Sequence, residues 1–261
     1  MSGVNYDRAT VAVLWARDLK RFFRQPSRIV GALGQPIIFW MVIGTGMAST
    51  FQIPGMEIDY LEYFFPGVVL MVLVFASIFA SISVIEDRNV GFLQAVLAGP
   101  GSRAAMVLGK CLGATTVAFF QAGLFLLLAP FAGFGFGEIQ WGYLFAAMFF
   151  SSFGLTALGF GVAWLLDNVQ AYHAIQMTFL VPLWIVSGAM FPGDPESRVL
   201  NGVMSVNPVA YGVSAVRHAL YGGAAPLELV GNTGAGLALG VLLVFLVICV
   251  AGAVLVCERR R

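Results

Sequence analysis

Residues 64–85 read FFPGVVLMVLVFASIFASISVI, and residues 86–94 continue as EDRNVGFLQ. The first stretch contains no charged side chain, and about 20 mostly apolar residues are enough for an α-helix to cross a bilayer. The second stretch opens with three charged residues, which enter hydrocarbon only at a considerable free-energy cost. Together they predict a membrane-spanning helix that ends at one face of the membrane.

The composition of the whole chain points to the same class of protein. Hydrophobic residues make up 59% of the 261 residues and charged residues 10%, whereas soluble proteins average roughly 45 to 50% and 25%. Six apolar stretches are long enough to span a bilayer, and they cover residues 31–50, 64–85, 104–130, 142–166, 173–191 and 234–257. We therefore predict an all-α integral membrane protein with six transmembrane helices, in one transmembrane unit over residues 31–257.

Lysine and arginine are distributed unevenly between the loops. If both termini are cytoplasmic, 12 of the 14 basic residues lie on the inner side, and only Arg198 and Arg217 lie outside. The loop 51–63 carries Glu57, Asp59 and Glu62 without a basic residue, as an outer loop would. This asymmetry follows the positive-inside pattern. It predicts a multi-pass protein of the plasma (inner) membrane whose N-terminal segment 1–30 and basic tail 258–261 are both cytoplasmic.

An amphipathic helix is predicted before the first span. Apolar residues recur at helical spacing from Val11 to Phe22, and basic residues form a second stripe, until Pro26 ends the pattern. Such a helix lies among anionic headgroups at the membrane surface. The residues predicted to contact the surface are Trp15, Arg17, Lys20, Arg21 and Arg24. An ordinary positively charged topology signal is the alternative, and the stripe implies no nucleic-acid partner because it adjoins a span.

Two further segments are neither spans nor simple turns. In residues 86–103, Val90, Leu93, Val96 and Leu97 share one helical face, and Gly99-Pro100-Gly101 ends the pattern. This predicts a short amphipathic helix at the cytoplasmic surface, with the charges of residues 86–88 facing water; a solvated connector is the alternative. In residues 187–231, prolines separate two pieces that are too short to span. They predict a re-entrant helical hairpin on the outer side, shielded by protein or by a watery cavity.

Several kinds of chemistry are disfavoured by the sequence. We expect the span interiors to be neutral apart from His173 near one end, whereas ion-coupled carriers need ionisable groups there. Gly109-Lys110 is the only Gly-Lys pair, and Cys111 follows it in place of the Ser or Thr of a phosphate-binding loop. No catalytic residues, metal ligands or disulfides are predicted, and His173 and His218 are expected to form hydrogen bonds at the interface.

The chain resembles the permease subunits of type 2 ATP-binding-cassette exporters over most of its length. The run from Glu86 to Gln94, continuing through Pro100, Ser102, Arg103 and Lys110, resembles the cytoplasmic coupling segment of that family. Residues 187–192, followed by Asn207-Pro208-Val209-Ala210-Tyr211 and Arg217, resemble its outer hairpin, and the stretch from Arg17 to Pro26 resembles its interfacial helix. Arg88 and Val90 depart from the usual acid and Thr of the coupling segment, and Asp194-Pro195-Glu196 departs from the hairpin pattern.

The resemblance implies which residues do what. Contact with an ATPase subunit is expected at Glu86, Asp87, Arg88, Asn89, Phe92, Leu93 and Gln94. The outer hairpin or exit gate is expected at Phe191, Pro192, Asn207, Pro208, Tyr211 and Arg217, with Arg217 either at the headgroup level or in contact with cargo.

The resemblance also implies partners. Two copies of a separate ATPase subunit would bind ATP and Mg²⁺, this chain would hold no cofactor, and a second permease copy would complete a homodimer in membrane lipid. The expected function is outward export of an amphipathic or hydrophobic cargo, namely a lipid-linked glycan, a lipid or a drug. A non-transporting membrane scaffold and a lipid-modifying membrane enzyme remain as alternatives, and the sequence does not choose the cargo.

Overall fold

A computed structural model describes residues 3–48, 58–192, 197–222 and 233–259. Within these ranges the chain forms ten α-helices and no strand. They are α1 (Gly3–Phe23), α2 (Pro26–Met47), α3 (Tyr60–Asn89), α4 (Phe92–Leu97), α5 (Arg103–Leu126), α6 (Trp141–Leu165), α7 (Val169–Trp184), α8 (Arg198–Val206), α9 (Pro208–Leu220) and α10 (Ala235–Arg259). The predicted all-α fold is confirmed.

Six helices in the described ranges are long and apolar enough to cross a membrane, which confirms the predicted number of spans. They are α2 from Ile29, α3, α5, α6, α7 extended to Ala189, and α10. Each predicted span overlaps its helix, and most ends differ by a few residues. Hydropathy locates spans well because every backbone polar group in hydrocarbon must be paired inside the helix.

The longest helix, α3, forms the centre of the bundle. Its 30 residues extend about 45 Å at 1.5 Å per residue, which exceeds a hydrocarbon core of about 30 Å. It packs against α2, α5, α6 and α9, and its side chains from Phe64 to Val74 are almost entirely buried. Its last turns carry Glu86, Asp87 and Arg88. The prediction that these residues begin a separate surface helix is therefore wrong.

A tight turn separates α3 from α4. Gly91 has a φ of 75°, in the left-handed region that glycine adopts at little cost. The short helix α4 then covers only residues 92–97, and α5 starts where the Ser102 side chain accepts a hydrogen bond from the backbone N–H of Ala105. Of the four residues predicted to share one apolar face, Val90 is instead 75% exposed, while Leu93 is fully buried.

Small residues let the helices approach closely. A Cβ added at Gly109 of α5 would lie 3.1 Å from the backbone of Val11 in α1, and one added at Gly154 of α6 would lie 2.8 Å from the ring of Phe245 in α10. Close helix approach at small residues is a common device in membranes. As a result, α1 packs lengthwise on α5, and α6 packs on α10.

At the other end of the bundle, α7 finishes in a π-helical turn over Ile185–Ala189, where Gly188 has a φ of 79°. Helices α8 and α9 follow, and their axes differ in direction by 84°. The predicted outer segments 193–196 and 223–232, the acidic loop residue Glu57 and the tail residues 260–261 lie outside the described residues.

Candidate functional site: a charge cluster beside the turn between α3 and α4

The side chain of Asp87 lies at the centre of a group of charged residues. It is only 1% exposed, although it sits two residues before the end of α3. Arg17 of α1 donates from both terminal nitrogens to its two oxygens, at 2.5 and 2.7 Å. Lys110 of α5, itself 3% exposed, contacts the Oδ2 atom at 2.5 Å. One carboxylate thus ties together three helices.

Two more pairs extend this group, which we call the Asp87 cluster. Lys110 also contacts Asp18 of α1 at 3.0 Å, and Arg21 of α1 contacts Glu86 of α3 at 2.5 Å. The cluster consists of Arg17, Asp18, Arg21, Glu86, Asp87 and Lys110, so three positive and three negative charges balance. A buried charge is tolerated when it is paired and hydrogen-bonded.

The α1 side chains of the cluster respond to their surroundings. The hydrogen bonds from Arg17 to Asp87 raise the pKa of the guanidinium, although partial burial opposes the shift. Burial raises the pKa of the Asp18 carboxyl above its usual range, and the nearby Lys110 ammonium offsets only part of that effect. Arg17 therefore stays protonated. The Asp18 carboxylate loses more hydration energy on burial than its interaction with nearby cations restores.

Helix α4 contacts the Asp87 cluster through Phe92. The ring of Phe92 lies under the Arg17 guanidinium, 3.8 Å from its central carbon, and Leu93 is fully buried. Such a cation–π contact stabilises the pair by roughly 0.5–1 kcal/mol or more. The outer surface of the turn and of α4 presents Asn89, Val90 and Gln94, which are all exposed.

These positions change the expected ATPase contacts. Asp87 is buried, so the prediction that the charges of residues 86–88 face water is wrong for this residue. Glu86 pairs with Arg21, and Leu93 is buried as well. Arg88 donates to the backbone carbonyls of Trp164 and Leu166 and to Asp167, which joins the end of α3 to the turn between α6 and α7. The Arg88 side chain is therefore already hydrogen-bonded to other residues of this chain.

The basic stripe of α1 divides between two surfaces. Arg17 and Arg21 point towards α3, contrary to the prediction that the whole stripe meets headgroups. Lys20 and Arg24 are exposed, and the Trp15 indole, 39% exposed, donates to the hydroxyl of Thr116 at 3.0 Å. The helix is bound to the bundle through one face and leaves the other free for a surface contact.

A second set of side chains holds the π-helical turn at the end of α7. The carbonyl of Gly188 accepts hydrogen bonds from the Tyr63 hydroxyl and from the Arg217 guanidinium, both at 2.8 Å. Arg217 is 3% exposed, and its central carbon lies 4.3 Å from the centre of the Tyr63 ring. The side chain of Arg217 is therefore buried where α9 meets Tyr63 of α3 and the π-helical turn. Its predicted contact with headgroups or cargo stays a prediction, because the structure contains neither.

The other predicted gate residues occupy separate positions. Asn207 caps α9 by accepting from the N–H of Val209, and it donates to the carbonyl of Leu183 at 2.7 Å. Pro208 begins α9, and the Tyr211 hydroxyl donates to the carbonyl of Ser205. Phe191 is 48% exposed, with Pro192 next to it. Asn207 and Pro208, which are adjacent in sequence, form the bend between α8 and α9, whereas Phe191 lies on the surface.

Sequence reasoning missed Asp18 and misjudged Lys110. The span interiors were expected to be neutral, yet Lys110 lies seven residues inside α5 and is buried. A single cation in an otherwise apolar stretch was the available signal, since such a residue needs a carboxylate partner. Its partners are 23 and 92 residues away along the chain, so no local pattern identifies them.

Comparison with known proteins gives one family. The model of the family "ABC-2 type transporter" matches residues 10–221. The chain is 26% identical over 208 residues to the "Putative transport permease ycf38" of Cyanophora paradoxa, covering 76% of this chain and 71% of that one. It is 24% identical over 221 residues to the "Daunorubicin resistance ABC transporter permease protein DrrB1" of Streptomyces coeruleorubidus, covering 82% and 75%.

A third relative is longer. The chain is 25% identical over 182 residues to the "Probable multidrug ABC transporter permease YbhR" of Escherichia coli K12, covering 68% of this chain and 48% of the relative, or about half its length. The family match takes in α1 from Thr10 onwards, the Asp87 cluster, α4, α8 and α9. Because that match extends over well more than half of the sequence, the chain belongs to the ABC-2 type transporter family.

Proposed function

We propose that this chain is the membrane-spanning subunit of an exporter that moves an amphipathic or hydrophobic cargo outward. Its family consists of transporter permeases, which work with an ABC ATPase subunit. Two ATPase copies would bind ATP and Mg²⁺ and supply the energy. The observation that carries the proposal is the Asp87 cluster, which joins the end of α3, just before the turn to α4, to α1 and α5.

The cluster provides a path for movement from the ATPase into the membrane. An ATPase bound at Asn89, Val90 and Gln94 would push on α4 and on the turn at Gly91. Asp87 passes the displacement to α1 through Arg17 and to α5 through Lys110. Arg88 passes it to the turn between α6 and α7. Buried, hydrogen-bonded charge pairs resist separation, so these helices would move as one unit.

The outer hairpin is proposed to be re-entrant. Gly212 of α9 packs against Leu70 of α3, to which an added Cβ would approach within 2.9 Å. Leu70 is six residues from Phe64, where the uncharged stretch of α3 begins, or about 9 Å along the helix axis. The middle of α9 would thus lie below the surface of a hydrocarbon core of about 30 Å, where α3 and α6 pack against it.

The proposed topology places both termini in the cytoplasm of a plasma-membrane protein. The guanidinium of Arg103 at the start of α5 donates to the carbonyl of Cys257 near the end of α10. The cluster places α1 and the end of α3 at the start of α5 as well. These four ends must share a face if six spans begin and finish inside, and the basic residues concentrated there support the inner face.

A second copy of the chain is proposed as a partner. The apolar stretches of α2 and α7 are 17% buried, compared with 78% for α3. Large apolar faces that the bundle does not cover suit lipid or another protein chain. A pair of permeases, each resting on one ATPase, would cover part of these faces and create a path between the two bundles.

The test is to purify the permease with its co-expressed ABC ATPase. We expect the wild-type pair to co-purify and the variant Asn89→Arg with Gln94→Arg to lose the ATPase, because both side chains lie on the exposed surface of the turn and α4. Asn201→Arg, at an exposed position on α8, is the matched control and should retain it.

Full retention of the ATPase by the double variant would reduce α4 to a connector. Absence of any ATPase from the wild-type preparation would favour the scaffold or the lipid-modifying enzyme instead.

A further inference from the structure

A cavity of about 440 Å³ lies between α1, α2, α3 and α5, with His173 of α7 at its side. Cavities of about 300–1,000 Å³ bind drug-sized molecules. On the α2 side the lining residues Gly31 and Ala32 are small, which leaves room beside the aromatic residues of α3. The cavity lies next to the Asp87 cluster and shares two of its residues, Asp18 and Arg21.

The lining changes character along the cavity. One end carries Asp18, Arg21 and Ser83, whereas the other is lined mainly by apolar residues such as Met71 and Val117, together with Gln121. Met71 and Ser83 are twelve residues apart on α3, or about 18 Å. A polar end and an apolar body over that length suit an amphiphile, with its charged group towards α1.

The charges at the polar end favour a cation. Arg21 has two acidic neighbours, Glu86 at 2.5 Å and Asp87 at 3.7 Å, so its charge is already matched. Asp18 has Lys110 at 3.0 Å and Arg17 at 3.9 Å, but both cations make their closer contact, 2.5 Å, with Asp87. Burial of the Asp18 carboxyl, whose side chain is 14% exposed, is thus only partly compensated. A ligand cation would supply the missing interaction.

The aromatic residues of the lining also favour a cationic ligand. Phe22, next to Arg21 in sequence, and Phe79, one turn from Ser83, line the cavity, and the face of an aromatic ring attracts a cation within about 6 Å of its centre. A desolvated carboxylate together with aromatic rings is a suitable environment for a protonated or quaternary amine. An anionic headgroup would instead meet Asp18 without a free basic partner in the cavity lining.

We propose that this cavity binds a drug-sized cationic amphiphile, whose charged nitrogen contacts Asp18 and whose apolar body lies among Met71, Phe75 and Val117. The inference rests on the proposed export function, because it names the class of cargo that the exporter would collect. Asp18 is the residue that selects for charge. Because Lys110 links Asp18 to Asp87, the occupied cavity adjoins the proposed path for ATPase movement.

The test uses the full-length permease in phosphatidylcholine nanodiscs without the ATPase, titrated with ethidium as a cationic probe. We expect saturable binding in the wild type and a dissociation constant at least about tenfold higher in Asp18→Asn, as loss of one charge-assisted contact predicts. Asp167→Asn is the matched control, since this carboxylate is 78% exposed and outside the cavity. The anionic probe anilinonaphthalene sulfonate should not lose affinity in Asp18→Asn.

A second variant tests the cavity independently of the charge. Ala80→Leu adds bulk to the lining without touching the Asp87 cluster, and it should weaken ethidium binding while the protein melts as the wild type does. Ethidium affinities within about twofold of wild type in both variants would overturn the proposal. So would tighter binding of the anionic probe than of ethidium. Neither result affects the export function, which the co-purification of the ATPase tests separately.

Discussion

At the residue scale, Asp87 shows both what the sequence indicates and what it hides. A charged residue after a long apolar stretch marks the end of a span, and the structure places Asp87 there. Its burial depends on Arg17, which lies 70 residues away along the chain. No pattern within a window of 20 residues reports that pairing, so the sequence suggested a carboxylate in water.

Asp87→Asn tests the energetic role of the cluster. The change leaves buried Lys110 without its closest counter-charge, and breaking a buried pair from one side costs about 3–5 kcal/mol. We expect the lower end of that range because Arg17 remains one-third exposed. A clear fall in the thermal melting temperature in detergent would show it, and adding Lys110→Met should recover part of the loss.

Asp167→Asn serves as the matched control for that measurement. This carboxylate also pairs with an arginine, Arg88 at 2.8 Å, but its side chain is 78% exposed. Exposed pairs contribute about 0–1 kcal/mol. If Asp87→Asn and Asp167→Asn melted at the same temperature, the cluster would not stabilise the bundle as the structure implies.

At the element scale, the spans could be predicted and the attachments of the short helices could not. Apolar length is a local property, which is why α3, α6 and α10 overlap their predicted positions closely. The helix α1 was predicted to lie along the membrane through its basic stripe. Its contact with α5 depends on the close fit at Gly109 and on pairs with distant acids, and both are tertiary features.

Gly109→Leu tests the packing of α1. A Cβ at this position would already lie 3.1 Å from the Val11 backbone and from the Leu14 side chain, so a larger residue must push α1 away from α5. We expect faster proteolytic cleavage within residues 3–23 in the purified protein. Gly123→Leu, on the same helix with nothing within 4 Å of an added Cβ, is the control and should leave the cleavage rate unchanged.

The outcome would be informative in the opposite case as well. Equal cleavage rates in the two variants would mean that α1 does not depend on the contact at Gly109. The Asp87 cluster and the Trp15–Thr116 hydrogen bond would then be enough to hold α1 on the bundle.

At the scale of the whole molecule, the two ends of the bundle are constructed differently. The end near α4 is held by charged pairs, with Asp87 between α1, α3 and α5. The opposite end is held by the carbonyl of Gly188, which accepts hydrogen bonds from Tyr63 and Arg217. The helix α3 connects them over about 45 Å. In the proposed exporter, movement at one end would reach the other through this helix.

The most direct measurement of that claim needs no knowledge of the cargo. Spin labels at Leu127 after α5 and Val206 at the end of α8, which are 62% and 80% exposed, would report the distance across the outer end in the complex with its ATPase. We expect this distance to change when ATP is trapped in the wild-type complex. In Asp87→Asn with Lys110→Met, the ATPase should remain bound and hydrolyse ATP, while the distance changes less than in the wild type, because Asp87 no longer ties α5 to α3. A wild-type distance change in the double variant would contradict the proposed role of the cluster.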